Sequence, residues 1–196
     1  MATLQSNNTT ITANNTELSS ILNTINNLPT SSGGSTDIED SIVTRTIKSY
    51  TNDRITIIGT NAFRGSSITS ISCENVTTID GYGLDSCGSL VDVNLPKVTT
   101  LKNYAMQKCT AVQRLDFQQK INCQGAVWYG CSSLTALILR SNQMCGLGNA
   151  NCLTSTPIAS GTGYIYVPDN LVDTYKANTN WSNYASQIKG LSELEW

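Results

Sequence analysis

Apolar residues recur at two different periods along the chain, and the change of period divides it. In LQSNNTTITANNTELSSILNTINNL, residues 4–28, Leu4, Ile11, Leu18 and Ile25 stand seven apart. Written in heptads they are a positions, with Asn7, Asn14, Ile21 and Leu28 at d. Apolar a and d positions predict a coiled coil, and Ile at both core positions favours three strands over two. The Leu18–Leu28 half is an ordinary apolar seam. The first half carries Asn at d, where a polar residue fixes register and oligomer state at a cost in stability. Such a coil would be about 37 Å long at 1.5 Å per residue. Asn and Thr are poor helix formers, so a disordered polar leader is the competing reading.

From residue 55 to 152 the period lengthens. Cys87, Cys109 and Cys131 are spaced by 22. Three residues after each stands Leu90, Val112 or Leu134; six after, Val93, Leu115 or Leu137; eight after, Leu95, Phe117 or Leu139. Eight before each stands Ile79, Leu101 or Cys123, and three before, Leu84, Met106 or Trp128. An earlier copy places Ile58, Phe63, Ile68, Ile71 and Cys73 on the same ladder, with Ser66 in the cysteine slot. A degraded copy leads to Cys152, with Met144 eight before it and Leu153 directly after. One such unit cannot bury its own apolar face, so copies must stack into a solenoid. Each turn contributes one short alternating strand, as in LVDVNL, VQRLDF and LTALIL, and a return arc of irregular or short helical structure. The cysteines are then small apolar column residues rather than disulfide or metal partners, because their spacing is the repeat itself and no C-x-x-C occurs. Cys145 fits no slot.

The unit I-x-x-x-A-F-x-G-C-x-x-L-x-x-I-x-L, carried by ITIIGTNAFRGSSITSI, TIDGYGLDSCGSLVDVNLP and CQGAVWYGCSSLTALIL, resembles the BspA-like leucine-rich repeat family. The resemblance covers roughly residues 41–190. Gly83–Leu84 and Ala105–Met106 depart from the usual Ala–Phe. The tail TPIASGTGYIYVPDNLVDTYKANTNWSNYASQIKGL resembles the closing module of such proteins from gut Firmicutes and their phages. The heptads resemble the stalks of trimeric bacterial adhesins, where Asn at d lies in a three-stranded core.

The expected architecture is α+β: a leucine-rich-repeat solenoid of about four to five turns of ~22 residues, an N-terminal coiled-coil helix and a C-terminal helical cap. Its parts are a coil over 1–28, a Ser/Gly-rich linker over 29–40 that opens on Pro29, the solenoid over 41–163 and the cap over 164–196. SIVTRTIKSY alternates like a strand and opens the solenoid. YIYVP reads as a last strand, Asp169 or Asn170 as the N-cap of a helix bearing Leu171, Val172 and Tyr175, and Trp181, Tyr184, Ala185 and Ile188 as the stripe of a second helix.

Composition narrows the chemistry. Charged residues make up 13% of the 196, and the net charge is −2, with a pI near 5.0. This argues against nucleic acid or anionic membrane as a partner. No stretch has the length of a membrane span, and no secretory leader is recognisable, so a protein working outside the cell would have to leave by another route, such as lysis. Asn-X-Ser/Thr triplets at Asn8, Asn75 and Asn180 read as chance in an Asn/Thr-rich chain. Histidine is absent, which removes Ser-His-Asp and Cys-His catalysis. GLGNAN lacks a strand–helix frame for phosphate. Glu39–Asp40 and Glu193–Glu195 sit in a linker and a tail. No enzyme, cofactor or metal site is expected.

Binding remains. Outward strand positions are Ser70, Ser72, Asp92, Asn94, Arg114, Asp116, Ala136 and Ile138; Tyr82 and Tyr104 share one repeat position, with Tyr129 close by in the next turn. Asp92, Asn94, Arg114, Asp116, Tyr82, Tyr104 and Tyr129 are therefore the candidate ligand residues, against the alternative of an ordinary solvated surface. The resemblance implies a non-enzymatic phage virion protein: a homotrimer bound to other virion proteins, presenting its heads to a host-surface protein or glycan. A bacterial cell-surface or secreted adhesin is the alternative.

Overall fold

The structure, a computed structural model, describes residues 47–195. The coil positions Leu4 to Leu28 and the linker lie outside the described residues.

Each solenoid turn carries two short strands rather than the one expected. The front strands are β1 (Ser49–Thr51), β3 (Ser70–Ser72), β5 (Asp92–Asn94), β7 (Arg114–Phe117) and β9 (Ala136–Leu139); β2 (Ile57–Ile58), β4 (Thr78–Ile79), β6 (Thr100–Leu101), β8 (Asn122–Cys123) and β10 (Gly146–Leu147) form the back. All pairing is parallel. The back strands stack in one five-stranded sheet whose inward column is Ile58, Ile79, Leu101, Cys123 and Leu147. Two residues are too few to show an alternation, so these strands leave no periodic signal.

The front is two sheets. β1–β3–β5 form one; β7 and β9, with two later strands, form the other. Among the described residues β5 and β7 exchange no main-chain hydrogen bond. Side chains bridge the two ends of this interval: Thr110 Oγ1 donates to the Gly88 carbonyl at 3.2 Å, and Gln119 Nε2 to the Pro96 carbonyl at 3.4 Å. Between them Val91 is 50% exposed. Val93 is half-buried, although Ile71, Leu115 and Leu137 in the same column are buried.

From back to front each turn returns through an arc whose amides bond the next turn. Phe63, Leu84 and Met106 donate to the carbonyls of Gly83, Ala105 and Val127. Two columns of left-handed residues shape the arcs. Asn61, Tyr82, Tyr104 and Ala126 have φ of 58°, 60°, 61° and 54°; Gly65, Ser86, Lys108 and Gly130 have 69°, 59°, 54° and 73°. Asn and Gly take this conformation readily, whereas Tyr, Ser, Lys and Ala do so at a cost that repeated arc hydrogen bonds must cover. Gly83 breaks the usual Ala–Phe for a steric reason. A Cβ there would lie 3.0 Å from Ile79 Cγ2 and 3.1 Å from Ile58 Cγ2.

The cysteine column is buried, and its thiols act as donors. Cys87 Sγ donates to the Phe63 carbonyl at 2.9 Å, Cys109 to Leu84 at 3.1 Å and Cys131 to Met106 at 3.1 Å. Ser66, in the first such slot, contacts Cys87 Sγ at 3.4 Å. All seven cysteines are free and buried. The degraded copy aligns differently from the expectation. Leu147, not Met144, continues the back column. Trp128 N–H bonds the Cys152 carbonyl, as Met106 N–H bonds that of Val127. Cys152 therefore belongs to the Ala105–Val127 column, and buried Thr156 stands in the cysteine slot, 25 residues after Cys131. The inserted residues break the 22-residue count, which is why it misplaces this turn.

The cap begins as expected with β11 (Tyr164–Val167), beside β9, but a further strand, β12 (Ile188–Gly190), pairs with β11 and closes the sheet. The first helix is split into a 3-10 turn over Asp169–Leu171 and α1 (Val172–Ala177). Neither has a side-chain N-cap bond. Asp169 instead accepts from Ser192 Oγ at 2.5 Å, so it ties α1 to the tail. The second segment, Trp181–Gln187, is 3-10 with a kink at Tyr184, and Ile188 lies in β12. Trp181, Tyr184 and Ile188 are nonetheless buried as the stripe requires. Cys145, which fitted no slot, is where the cap docks. Its N–H donates to Tyr175 Oη at 2.7 Å, its carbonyl accepts from Trp181 Nε1 at 2.9 Å, and its sulfur accepts from Ile121 N–H at 3.4 Å.

Candidate functional site

The outer strip of the front face is polar at its start and heavily paired beyond the break. Ser70 Oγ donates to Ser49 Oγ at 2.9 Å, and Asn94 Nδ2 to Ser72 Oγ at 2.9 Å. On β7, the Asp116 carboxylate accepts from Arg140 Nε and Nη2 at 2.7 and 2.8 Å, from Gln118 Nε2 at 3.0 Å and from Arg114 Nη2 at 3.4 Å. That bidentate bond raises the Arg140 pKa above its ordinary value. Asp116 is thus committed to its own chain. Asp92 and Asn94 lie on the other side of the break, so the four expected strand residues do not form one cluster. Ile138, expected to face outward, is buried. The register sets it between the engaged Asp116 and Tyr166.

The arcs carry a second surface. Tyr82 and Tyr104, one turn apart, stack with ring centroids 4.9 Å apart and an interplanar angle of 14°. The spacing is that of neighbouring strands, so the solenoid rise itself delivers stacking distance. The left-handed backbone at both positions gives the two rings the same direction. Arg64 lies over the outer face of this pair, its Cζ 4.9 Å from the Tyr82 centroid. Buried Asp85 holds it there through Arg64 Nε at 2.8 Å. The column therefore reads guanidinium, ring, ring, and then Ala126. Tyr129, expected near the rings, lies three residues beyond Ala126 and makes no ring contact with them among the described residues. The positive φ at Tyr82 and Tyr104 has no sequence signature, though their shared repeat position predicted that they meet.

Neutral amides surround the end of the column. Asn103 Oδ1 accepts from Gly125 N–H at 2.7 Å, Gln124 Oε1 from Asn103 N–H at 3.2 Å, and Asn149 Oδ1 from Asn151 N–H at 2.9 Å. All three residues are exposed. Gly125 lies where they converge: a Cβ there would come within 2.8 Å of Asn149 Nδ2 and 3.2 Å of Asn103 Oδ1, so these amides would have to shift.

The thiols are poor nucleophiles. Burial pushes Cys73 up to about 11 and raises Cys87, Cys123 and Cys145. The neighbouring Cys131 thiol, together with burial, raises Cys109. These five are protonated at neutral pH, and all seven thiols are buried, unlike reactive thiolates. Among the described residues no group of three or more metal-ligating side chains converges, and no helix is long and apolar enough to cross a membrane.

The family model described as BspA type Leucine rich repeat region matches residues 43–149 in six copies. No curated protein matches the chain.

Proposed function

The chain belongs to the BspA-type leucine-rich repeat family, and on that premise we propose that it is a non-enzymatic adhesion protein carried on a phage virion. The observation that carries the adhesion reading is the surface column of exposed Arg64 and Tyr104 with half-buried Tyr82 between them. It is a preformed aromatic surface, rimmed by amides, on a rigid repeat scaffold. Aromatic rings with polar neighbours supply contact area at low entropic cost. The thiols of the chain, by contrast, are buried in its core.

The virion part rests on the heptads at Leu4–Leu28 and on the resemblance of the tail to phage proteins. In this reading the coil joins three chains and anchors them to other virion proteins, and the heads meet a bacterial-surface protein or mucosal glycan. The family match is equally compatible with a cell-surface or secreted bacterial adhesin, since the same repeats serve both.

Three measurements test this. The full-length chain should bind intact bacteria or mucin in a pull-down; binding to neither removes the adhesion reading. Mass spectrometry of purified particles should find the chain, while its recovery from cell envelopes alone favours the bacterial adhesin. Light scattering of full-length protein should give three times the chain mass, and a monomer would remove the trimer.

A further inference from the structure

We infer that the tier of the arc column occupied by Ala126 is a seat for the pyranose ring of a neutral surface glycan, stacked on the free face of Tyr104. This deepens the adhesion reading and rests on it.

The argument is one of a vacant place in a register. Asn61, Tyr82, Tyr104 and Ala126 share one left-handed backbone conformation, at φ of 58°, 60°, 61° and 54°. Their side chains therefore leave the arc at equivalent points of successive turns. Tyr82 has Arg64 on one face and Tyr104 on the other, at 4.9 Å each. Tyr104 has Tyr82 on one face only. On its other face the register offers a methyl group in place of a phenol ring, and Tyr104 is 36% exposed. The column does not continue further, because the next turn replaces its arc with the 3-10 segment Ala150–Leu153. A flat group of ring size, entering from solvent, fits above the Ala126 methyl at stacking distance from Tyr104.

The rim selects the kind of ring. Each of Asn103, Gln124 and Asn149 uses its side-chain oxygen to accept a main-chain N–H. That choice orients the amide NH2 groups as the remaining donors, and none of these has a protein acceptor among the described residues. A pyranose has one face of C–H groups for stacking and an equatorial belt of hydroxyls that accept from amides. Of the two arc cations in the turn of Tyr104, Lys102 is taken up by Asp80 at 2.7 Å, and Lys108 stands in the other left-handed column. A rim of neutral donors with no free carboxylate does not favour a cationic peptide.

The test uses the full-length chain on an array of immobilised neutral oligosaccharides built from glucose, galactose and N-acetylhexosamines, with two variants. Ala126→Tyr places the chain's own ring in the seat; Tyr82 and Tyr104 show that this backbone conformation holds a tyrosine. It should abolish array binding while the melting temperature stays the same or rises. Tyr104→Ala removes the platform and should weaken binding about tenfold, the worth of one stacked ring. Array binding that survives Ala126→Tyr overturns the seat, as does wild-type protein that binds bacteria yet no neutral glycan; in both cases the adhesion reading stands. Wild-type protein that binds neither bacteria nor mucin overturns both.

Discussion

Cys109 and its neighbours one turn away show why a thiol suits this column. An intramolecular hydrogen bond contributes about 0.5–1.5 kcal/mol net. The Leu84 carbonyl accepts the Cys87 N–H at 3.3 Å within its own turn, and Cys109 Sγ adds a second bond from the following turn at 3.1 Å. Valine would fill a similar volume without donating; serine would donate with a smaller radius. Cys109→Val should therefore lower unfolding free energy by about 0.5–1.5 kcal/mol in urea, and Cys109→Ser by less. Equal losses would mean that volume alone matters. A buried thiol outside this column, Cys73, sets a pH limit. Folded Cys73 ionises at about 11 rather than its ordinary 9.0 because burial disfavours the thiolate. The unfolded chain releases its thiol protons first, so stability is full below the ordinary value and lost as pH rises towards the folded one. The melting temperature should fall between pH 9 and 11, and thermal melts of a Cys73→Ala variant should show a shallower fall. The 22-residue spacing made this column legible in the sequence. The reason for cysteine in it was not legible, since a donor to a main-chain carbonyl is visible only once the turns are stacked.

At the scale of elements, the front strands were legible because three or four residues alternate between core and solvent. The back strands, two residues each, had no alternation to read. The arcs were hidden for another reason: their left-handed columns are filled by Tyr, Ser, Lys and Ala as well as Asn and Gly, so neighbouring turns rather than residue type impose the conformation. Tyr82 and Tyr104 were nonetheless identifiable as a pair from their shared repeat position, and Ala126 replaced Tyr129 as the next tier. The break between β5 and β7 could not be foreseen, because Val93 and Leu115 keep the apolar pattern across it. It predicts a measurable difference. Amides of 92–94 and 114–117 that face the break should exchange with deuterium faster than those between β7 and β9, which are fully paired. Equal protection in the two intervals would show that the front is one continuous ladder.

Across the whole molecule, stability depends on how the last turn is closed. Tyr175, Trp181 and Asn180 reach back from the cap to the main chain at Cys145 and Leu147, and Asn180 Nδ2 meets the Leu147 carbonyl at 2.6 Å. Tyr175→Phe keeps the ring against Trp181, 5.3 Å away, but strands the Cys145 N–H. It should cost about 1–3 kcal/mol in urea unfolding, and an unchanged midpoint would show that the cap is held by packing alone. The sequence marked the cap's buried aromatics by their spacing but not their partner, because Cys145 is outside the repeat. The parted front strands have a mechanical meaning as well. The back sheet is hydrogen-bonded without interruption through five turns, while the front is cut once, near its middle. A load applied along the stack is then shared unequally: the back behaves as a leaf spring and the front as two stiff plates meeting at a seam. Bending should concentrate at that seam, so a tethered head under flow would flex between β5 and β7 before any strand pair is pulled apart.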